Sequence, residues 1–459
     1  MKSLVVLPLE NLSKDEAQDY FADGMTDAIL TRLAKIKALK VISYSGGKGP
    51  RESTAAIARR LHVDAAIEGS VMSAGDRVRI SARLIKTGSG EHLWAEEYEG
   101  DLRNVLAIQG EVARAVAHEI QVKATPQEEG RLTKSHPIDP EAYHAFLKGR
   151  YYASQRSGEG LLKSLGYFQQ AIQKDPSYAL AYSGSADAYA LLGSSGYDVL
   201  PPLEAKAKAA TLVAQALKLD DTLPEAHTSL GYLKLSYDWD FAAAEREFKR
   251  AIDLNPGYPT AHHWYAHYLL SKGQMDQALV EMKRAQELEP LSLILNTGVG
   301  WCLYYARRYD EAIEQFRDVF QMEPNFVPAQ FALAMTYMQK GSTREAIAEW
   351  QKLNTAYAGH VPLPLAGLGV AQANAGNRRE AQNVLNQLRA MSAQRYVPAL
   401  YPALIHSALH DDKQALNWAQ KALDERPEYL IYLRVEPAFE RLRADPQFQS
   451  LAHRAGLEP

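Results

Sequence analysis

The 459-residue sequence predicts an α+β / α-solenoid chain: a small mixed α/β domain followed by about eight stacked helix–turn–helix units. Two patterns carry that prediction. An alanine opening a short amphipathic run returns at Ala209, Ala244, Ala278, Ala312, Ala346, Ala381 and Ala415, every 34 or 35 residues. A period in that range marks a repeat architecture. Ahead of it, Val78, Ile80, Ala82 and Leu84 alternate with Arg77, Arg79, Ser81 and Arg83, the period-two signature of a strand with one buried and one wet face. Polar, proline-bearing residues separate the two regions. The expected division is 1–125 for the α/β domain, 126–138 for a linker, 139–427 for the solenoid and 428–459 for carboxy-terminal capping helices.

Taken in order, residues 3–9 (SLVVLPL) form a β-rich apolar run, and 24–37 repeat apolar side chains at Met25, Ile29, Leu33 and Ile36, a helical period. KVISYS (40–45) reads as a strand that ends at the Gly46–Gly47 turn. Residues 53–61 read as a helix with Ser53 or Thr54 as its cap. A meander follows in AAIEGSVM, RVRISARLI and HLWAEEY, with turns at Gly75–Asp76 and Gly88–Gly90. A last helix over about 103–123 presents Ile108, Val112, Val116 and Ile120 as its apolar stripe.

In the repeat, helices stop at Asp221, Pro256, Pro290, Pro324, Ala358 and Pro427; the prolines of this series cannot continue a helix and shift the residue before them out of the α region. Gly231, Ala266, Gly300, Ala334 and Gly369 let paired helices approach, and Phe248, Phe316 and Trp350 fill the space between neighbours. The step from Pro176 to Asp221 exceeds the period by eleven residues, which places an insertion at 193–202 (GSSGYDVLPP).

The helix–turn–helix pattern resembles the tetratricopeptide repeat, whose arrays wind into a right-handed superhelix. VLPLENLS (6–13), YFADGMTDAI (20–29), VDAAIEGSV (63–71), RVRISARLI (77–85), HLWAEEYEGDL (92–102) and IQGEVARAVAHEI (108–120) together resemble the TolB amino-terminal-like domain, which bacteria place ahead of such arrays. HPIDPEAYHAFLKGRYY (136–152), YDWDFAAAEREFKRAI (237–252) and VEPAFERLRADPQFQSL (435–451) are similar to the same architecture. The resemblance implies a bacterial signalling protein. In such proteins this region follows a serine/threonine kinase, a nucleotide cyclase or a winged-helix DNA-binding domain, commonly after a membrane span.

Composition narrows the function. With 51 Lys+Arg against 55 Asp+Glu and a net charge of −4, the chain lacks the basic excess that nucleic-acid binding needs. No apolar run approaches the roughly 18 residues of a membrane span, and the amino terminus is not built as a secretory signal. A cytoplasmic chain is expected from these residues as given, and an extracytoplasmic one if they belong to a longer membrane-anchored protein. One cysteine, Cys302, excludes a disulfide framework and a Cys-rich metal site. GGKG (46–49) lacks phosphate-loop spacing, and GLGVAQ (367–372) lacks the third glycine of a dinucleotide fingerprint. His263 and His267 lie four apart on one helix face and suit a zinc or nickel pair, but no third ligand is identifiable. Acidic residues sit at i, i+4 from Lys or Arg, as in Glu245/Lys249. No catalytic constellation, metal or cofactor is expected, and the chain reads as a non-enzyme.

What remains is surface. In the repeat family the first helix of each unit lines a concave groove, and the positions that match its inward face include Tyr232, His263, His267, Trp301, Tyr304, Tyr305, Phe331 and Met335. The Lys and Asn that chaperone-binding arrays use at these positions are absent. Tyr, Trp and Met are what buried interface anchors use. The expected function is a protein–protein interaction scaffold or adaptor that binds a peptide or helix in this groove. The alternative is a structural protein assembling head-to-tail into oligomers or filaments, with the edge strand of the meander accepting a neighbour.

Overall fold

The computed structural model describes residues 1–459 except 14, 16, 17, 45–52, 134, 135, 358, 360, 458 and 459. The GGKG stretch, the turn at Gly46–Gly47 and Ala358 lie outside the described residues. The amino-terminal region is a mixed sheet of β1 (Ser3–Val6), β2 (Glu10–Asn11), β3 (Lys40–Ser43), β4 (Ala65–Ala74), β5 (Arg77–Lys86) and β6 (His92–Asp101). Its strand order is β3-β1-β4-β5-β6, with β2 beside β4. Helix α1 (Asp19–Leu33) and α2 (Thr54–Arg60) supply the parallel crossovers, and β4, β5 and β6 form the expected antiparallel meander.

The alternation in β5 is realised. Val78, Ile80, Ala82 and Leu84 are buried beneath α1 and α3 (Val105–Glu119). On the wet face Arg77 pairs with Glu99 at 2.7 Å, Arg79 with Glu97 at 3.0 Å and Arg83 with Glu68 at 3.2 Å. Ser53 caps α2 by accepting from Ala56 N.

Residues 126–138, expected as a linker, carry α4 (Pro126–Thr133), which packs on α3. Leu132 and Ile138 are buried in the α/β core. Glu128 accepts from the backbone N–H groups of Lys37 at 2.9 Å and Thr125 at 2.7 Å. A polar stretch with Leu132 as its one large apolar side chain still makes a docked helix once Glu128 finds backbone donors.

The remaining helices run as consecutive pairs joined by short connections, which makes neighbours antiparallel. They are α5 (Pro140–Ser154) with α6 (Gly158–Lys174), α7 (Ala179–Leu192) with α8 (Pro202–Leu219), α9 (Pro224–Leu233) with α10 (Phe241–Leu254), and α11 (Pro259–Ser271) with α12 (Met275–Leu288). There follow α13 (Leu293–Tyr305) with α14 (Tyr309–Met322), α15 (Val327–Lys340) with α16 (Thr343–Ala356), α17 (Pro362–Asn374) with α18 (Arg378–Met391), and α19 (Leu400–Ala408) with α20 (Asp412–Glu425). Small residues and rings interlock as the sequence suggests. A Cβ on Gly231 would stand 2.8 Å from the Phe248 ring and one on Gly300 2.1 Å from Phe316; the expected Gly369 instead meets Ile405 at 2.7 Å, and it is Gly367 whose Cβ would stand 2.4 Å from Trp350. Phe248, Phe316 and Trp350 are fully buried.

A second periodic device ties the pairs together. A side chain near the start of the first helix reaches the carbonyl six residues earlier. Tyr182 Oη donates to Pro176 O at 3.2 Å, and Asn296 Nδ2 donates to Pro290 O at 2.9 Å. In between, His227 Nε2 lies 2.9 Å from Asp221 O, and His262 Nε2 lies 3.0 Å from Pro256 O.

The α/β domain docks on the solenoid at the α10–α11 turn. Buried Asn255 donates to Thr31 O at 3.4 Å, Gly257 lies against Ala34, and Lys40 pairs with Glu287 at 2.8 Å. At the far end, the expected capping helices are two 3-10 turns, Glu428–Tyr432 and Pro437–Leu442, and α21 (Pro446–Arg454). Leu430, Leu433, Phe439 and Phe448 share one core with α19 and α20. Among the described residues no helix is long and apolar enough to cross a membrane.

The clamps yield a pH prediction. Both ring nitrogens of His227 face acceptors, Nδ1 being 2.7 Å from Glu247 Oε2. Burial opposes the charged ring, yet Glu247 and the Asp221 carbonyl outweigh it and raise the pKa above the ordinary value. A raised folded value means the contribution to stability is complete below about pH 6.5 and lost as pH rises through the folded pKa. Thermal melts of wild type and His227→Asn should therefore differ most at acidic pH and converge in alkali; a constant difference would refute the charged clamp.

Candidate functional site

The eight side chains expected in the groove lie on α9 (Tyr232), α11 (His263, His267), α13 (Trp301, Tyr304, Tyr305) and α15 (Phe331, Met335). Ring centroids are 6.0 Å apart for Trp301–Tyr305 and 5.6 Å for Trp301–Phe331, while Tyr232 lies 4.5 Å from Trp264. Tyr232, His263, Tyr304, Tyr305 and Met335 are buried, and His267, Trp301 and Phe331 are half-buried.

The cover over the middle of the expected groove is the chain itself. Tyr432 Oη is hydrogen-bonded to His267 Nδ1 at 2.5 Å, and its ring lies 4.9 Å from that of Tyr305. Glu436, with no exposed surface, accepts from Tyr304 Oη at 2.8 Å, Tyr429 Oη at 2.5 Å and Ala438 N at 3.1 Å. Arg307 at the end of α13 pairs with Glu440 at 2.8 Å. The insertion between α7 and α8 joins this plug, since the backbone of Ser195 is hydrogen-bonded to Glu428, and buried Asp198 accepts from Tyr401 on α19. Residues 428–436 thus occupy the part of the groove that α11 and α13 present, which the sequence pattern left open. No local signal could have shown it, because the contacting residues are more than a hundred positions apart.

His263 Nε2 stands 3.2 Å from His267 Nε2. Burial pushes His267 down to about 4, and burial together with the His267 ring holds His263 well below its ordinary value. Two neutral rings sharing one N–H account for this geometry. Among the described residues no three His, Cys, Asp or Glu side chains assemble around a metal position. Cys302 is buried and its thiol pushed up by burial, away from the thiolate a nucleophile requires.

Toward the amino-terminal end the concave surface is open. There the α/β domain faces the first helix pairs across a chamber of about 1290 Å³. Asp19, Asp23 and Asp27 line it from α1, spaced i, i+4, i+8 along one face. Arg150 on α5, Asp187 on α7, Glu225 on α9 and Glu289 after α12 project from the solenoid, and His263 belongs to the same wall. Arg150 Nη2 lies 3.1 Å from Asp27 Oδ2. Burial pushes Asp187 up to about 7 despite the bond from Ser229, and burial and Asp27 push Glu289 up to about 7. Burial, then Asp27 and Asp19, raise Asp23. Neither this aspartate row nor what faces it was singled out from the sequence.

Glu436→Ala would leave the Tyr304 and Tyr429 hydroxyls without an acceptor. We expect a loss of about 2–4 kcal/mol in urea unfolding and faster tryptic cleavage within 426–443. Unchanged protection there would show that the carboxylate is not what seats the tail.

A family model described as tetratricopeptide repeat matches residues 239–294 and 303–363. Among curated proteins, the chain is 32% identical over 240 residues to a putative adenylate cyclase 3 of Rhizobium meliloti (strain 1021), covering 52% of this chain and 40% of the cyclase. It is 24% identical over 168 residues to the transcriptional regulator HilA of Salmonella typhimurium, covering 37% of this chain and 30% of HilA. The chain therefore spans less than half the length of these relatives. Among solved structures, the Cut9 and Hcn1 hetero-tetramer of APC/C matches at 15% identity with a TM-score of 0.45, covering 77% of this chain and 63% of that one. The helices from α10 to α16 carry tetratricopeptide repeats.

Proposed function

We propose that the chain is a non-enzymatic interaction scaffold of bacterial signalling type that takes a peptide or helix in its concave surface. The observation that carries this reading is the seating of residues 428–436 on α11 and α13. Side chains of the concave face already hold a short stretch of chain, through a tyrosine ring and a buried carboxylate. A peptide ligand is held by the same means. Trp301 and Phe331, only half-buried, offer further aromatic area of the kind that anchors an interface. The cyclase and the transcriptional regulator support the signalling part, because both are longer proteins of which this chain matches a portion. The activity in each name is that of the whole relative. In this reading residues 1–125, a TolB-like domain, form a second recognition surface ahead of a right-handed array of about eight units over 139–427.

A second reading is favoured by one feature. β6 ends the strand order and, among the described residues, pairs on one side only. Such an edge accepts a neighbouring strand, so head-to-tail assembly is retained. Light scattering behind a sizing column separates the readings: a constant monomer mass across dilution removes assembly, and a ladder of masses supports it.

For the scaffold, peptides selected on the full chain from a displayed library should lose roughly tenfold or more in affinity on Trp301→Ala, with the helical circular dichroism unchanged. Unaltered affinity in that variant would sink the groove as the binding surface.

A further inference from the structure

The chamber between the α/β domain and the first helix pairs carries more acidic than basic groups. Asp19, Asp23 and Asp27 form one wall, and Asp187, Glu225 and Glu289 stand on the facing wall. Glu10 and Glu68 bring the lining carboxylates to eight, against the three guanidinium groups of Arg83, Arg150 and Arg156, of which Arg83 is engaged by Glu68 and Arg150 by Asp27. Glu225 adds a buried Oε2 that has no hydrogen-bond partner. Carboxylates kept this close repel one another, and burial strengthens the repulsion. An incoming cation would satisfy the orphaned acceptor and offset that repulsion.

The shape of the site selects the kind of cation. No metal-like cluster of ligands exists among the described residues, so the negative charge is spread along walls and not focused on a point. At about 1290 Å³ the chamber also exceeds the roughly 300–1,000 Å³ of small-molecule pockets. It continues the concave face, since His263 belongs both to the aromatic row and to the chamber wall.

We infer that the chamber binds a lysine- or arginine-bearing peptide segment, whose cationic side chains reach Asp23, Asp187 and Glu225. This names a ligand class for the concave surface and rests on the scaffold reading above. Charge complementarity of this kind gives specificity and speed of encounter more than raw affinity.

The test is calorimetric titration of the full chain with three peptides of equal length, alternating alanine with lysine, glutamate or serine. The lysine peptide should bind, more weakly as salt is raised, and the glutamate and serine peptides should not. Asp23→Asn and Asp187→Asn should each weaken the lysine peptide by roughly tenfold. Their melting temperatures should stay level or rise, because each change removes a like-charge neighbour. Acetylating the peptide lysines keeps the stems and removes the charge, which should abolish binding without altering the protein.

Equal binding of the acetylated peptide, indifference to both substitutions, or equal binding of all three peptides would overturn the inference. Spermine binding as tightly as the lysine peptide would also overturn it, in favour of a free amine. If only the serine peptide binds and Trp301→Ala abolishes it, the cationic site falls while the scaffold stands. If no peptide binds, library-selected ones included, both fall.

Discussion

Where Phe316 lies over Gly300, Phe248 over Gly231 and Trp350 over Gly367, neighbouring helices approach until a ring meets backbone, and that contact sets the spacing on which the solenoid is built. A glycine inside a helix costs about 1 kcal/mol relative to alanine. Full burial of a large aromatic side chain returns about 1.5–3 kcal/mol, so the exchange favours the close pair. Because the same exchange recurs, each pair repeats the geometry of the last. The first helices then present their side chains at a regular interval from pair to pair.

The concave surface is divided in two. Its middle is closed by residues 428–436 and by the insertion after α7, which meet α11, α13 and α19 through tyrosines and buried carboxylates. Its amino-terminal end is left wide and polar, walled on one side by α1. The division follows from charge. Apolar and aromatic positions can be covered by a tail that brings its own Tyr429 and Tyr432, whereas carboxylates cannot be covered without matching cations.

Much of this was legible in the sequence because it is local. The 34-residue period located the helix pairs, and the alternation of β5 gave its buried face residue by residue. Gly231, Gly300 and their rings were identified from spacing alone. What escaped has one cause in common. α4 was hidden in a polar stretch because its stability comes from Glu128 reaching Lys37, not from an apolar stripe. The covering of Tyr304 and Tyr305 depends on Tyr432 and Glu436, and the chamber depends on α1 facing α7 and α9. Spacing along a chain reports which residues share a face; it does not report which distant segment lies on it.

The position of the tail gives the chain a history as well as a shape. Helix α13 is complete at Tyr305, but its aromatic face is closed by Tyr432 and Glu436, which leave the ribosome more than a hundred residues later. At synthesis rates of about 5–20 residues per second, that face is formed and uncovered for on the order of ten seconds. Each molecule therefore presents Tyr304 and Tyr305 to its surroundings during its own birth, and encloses them only once Tyr432 and Glu436 have emerged.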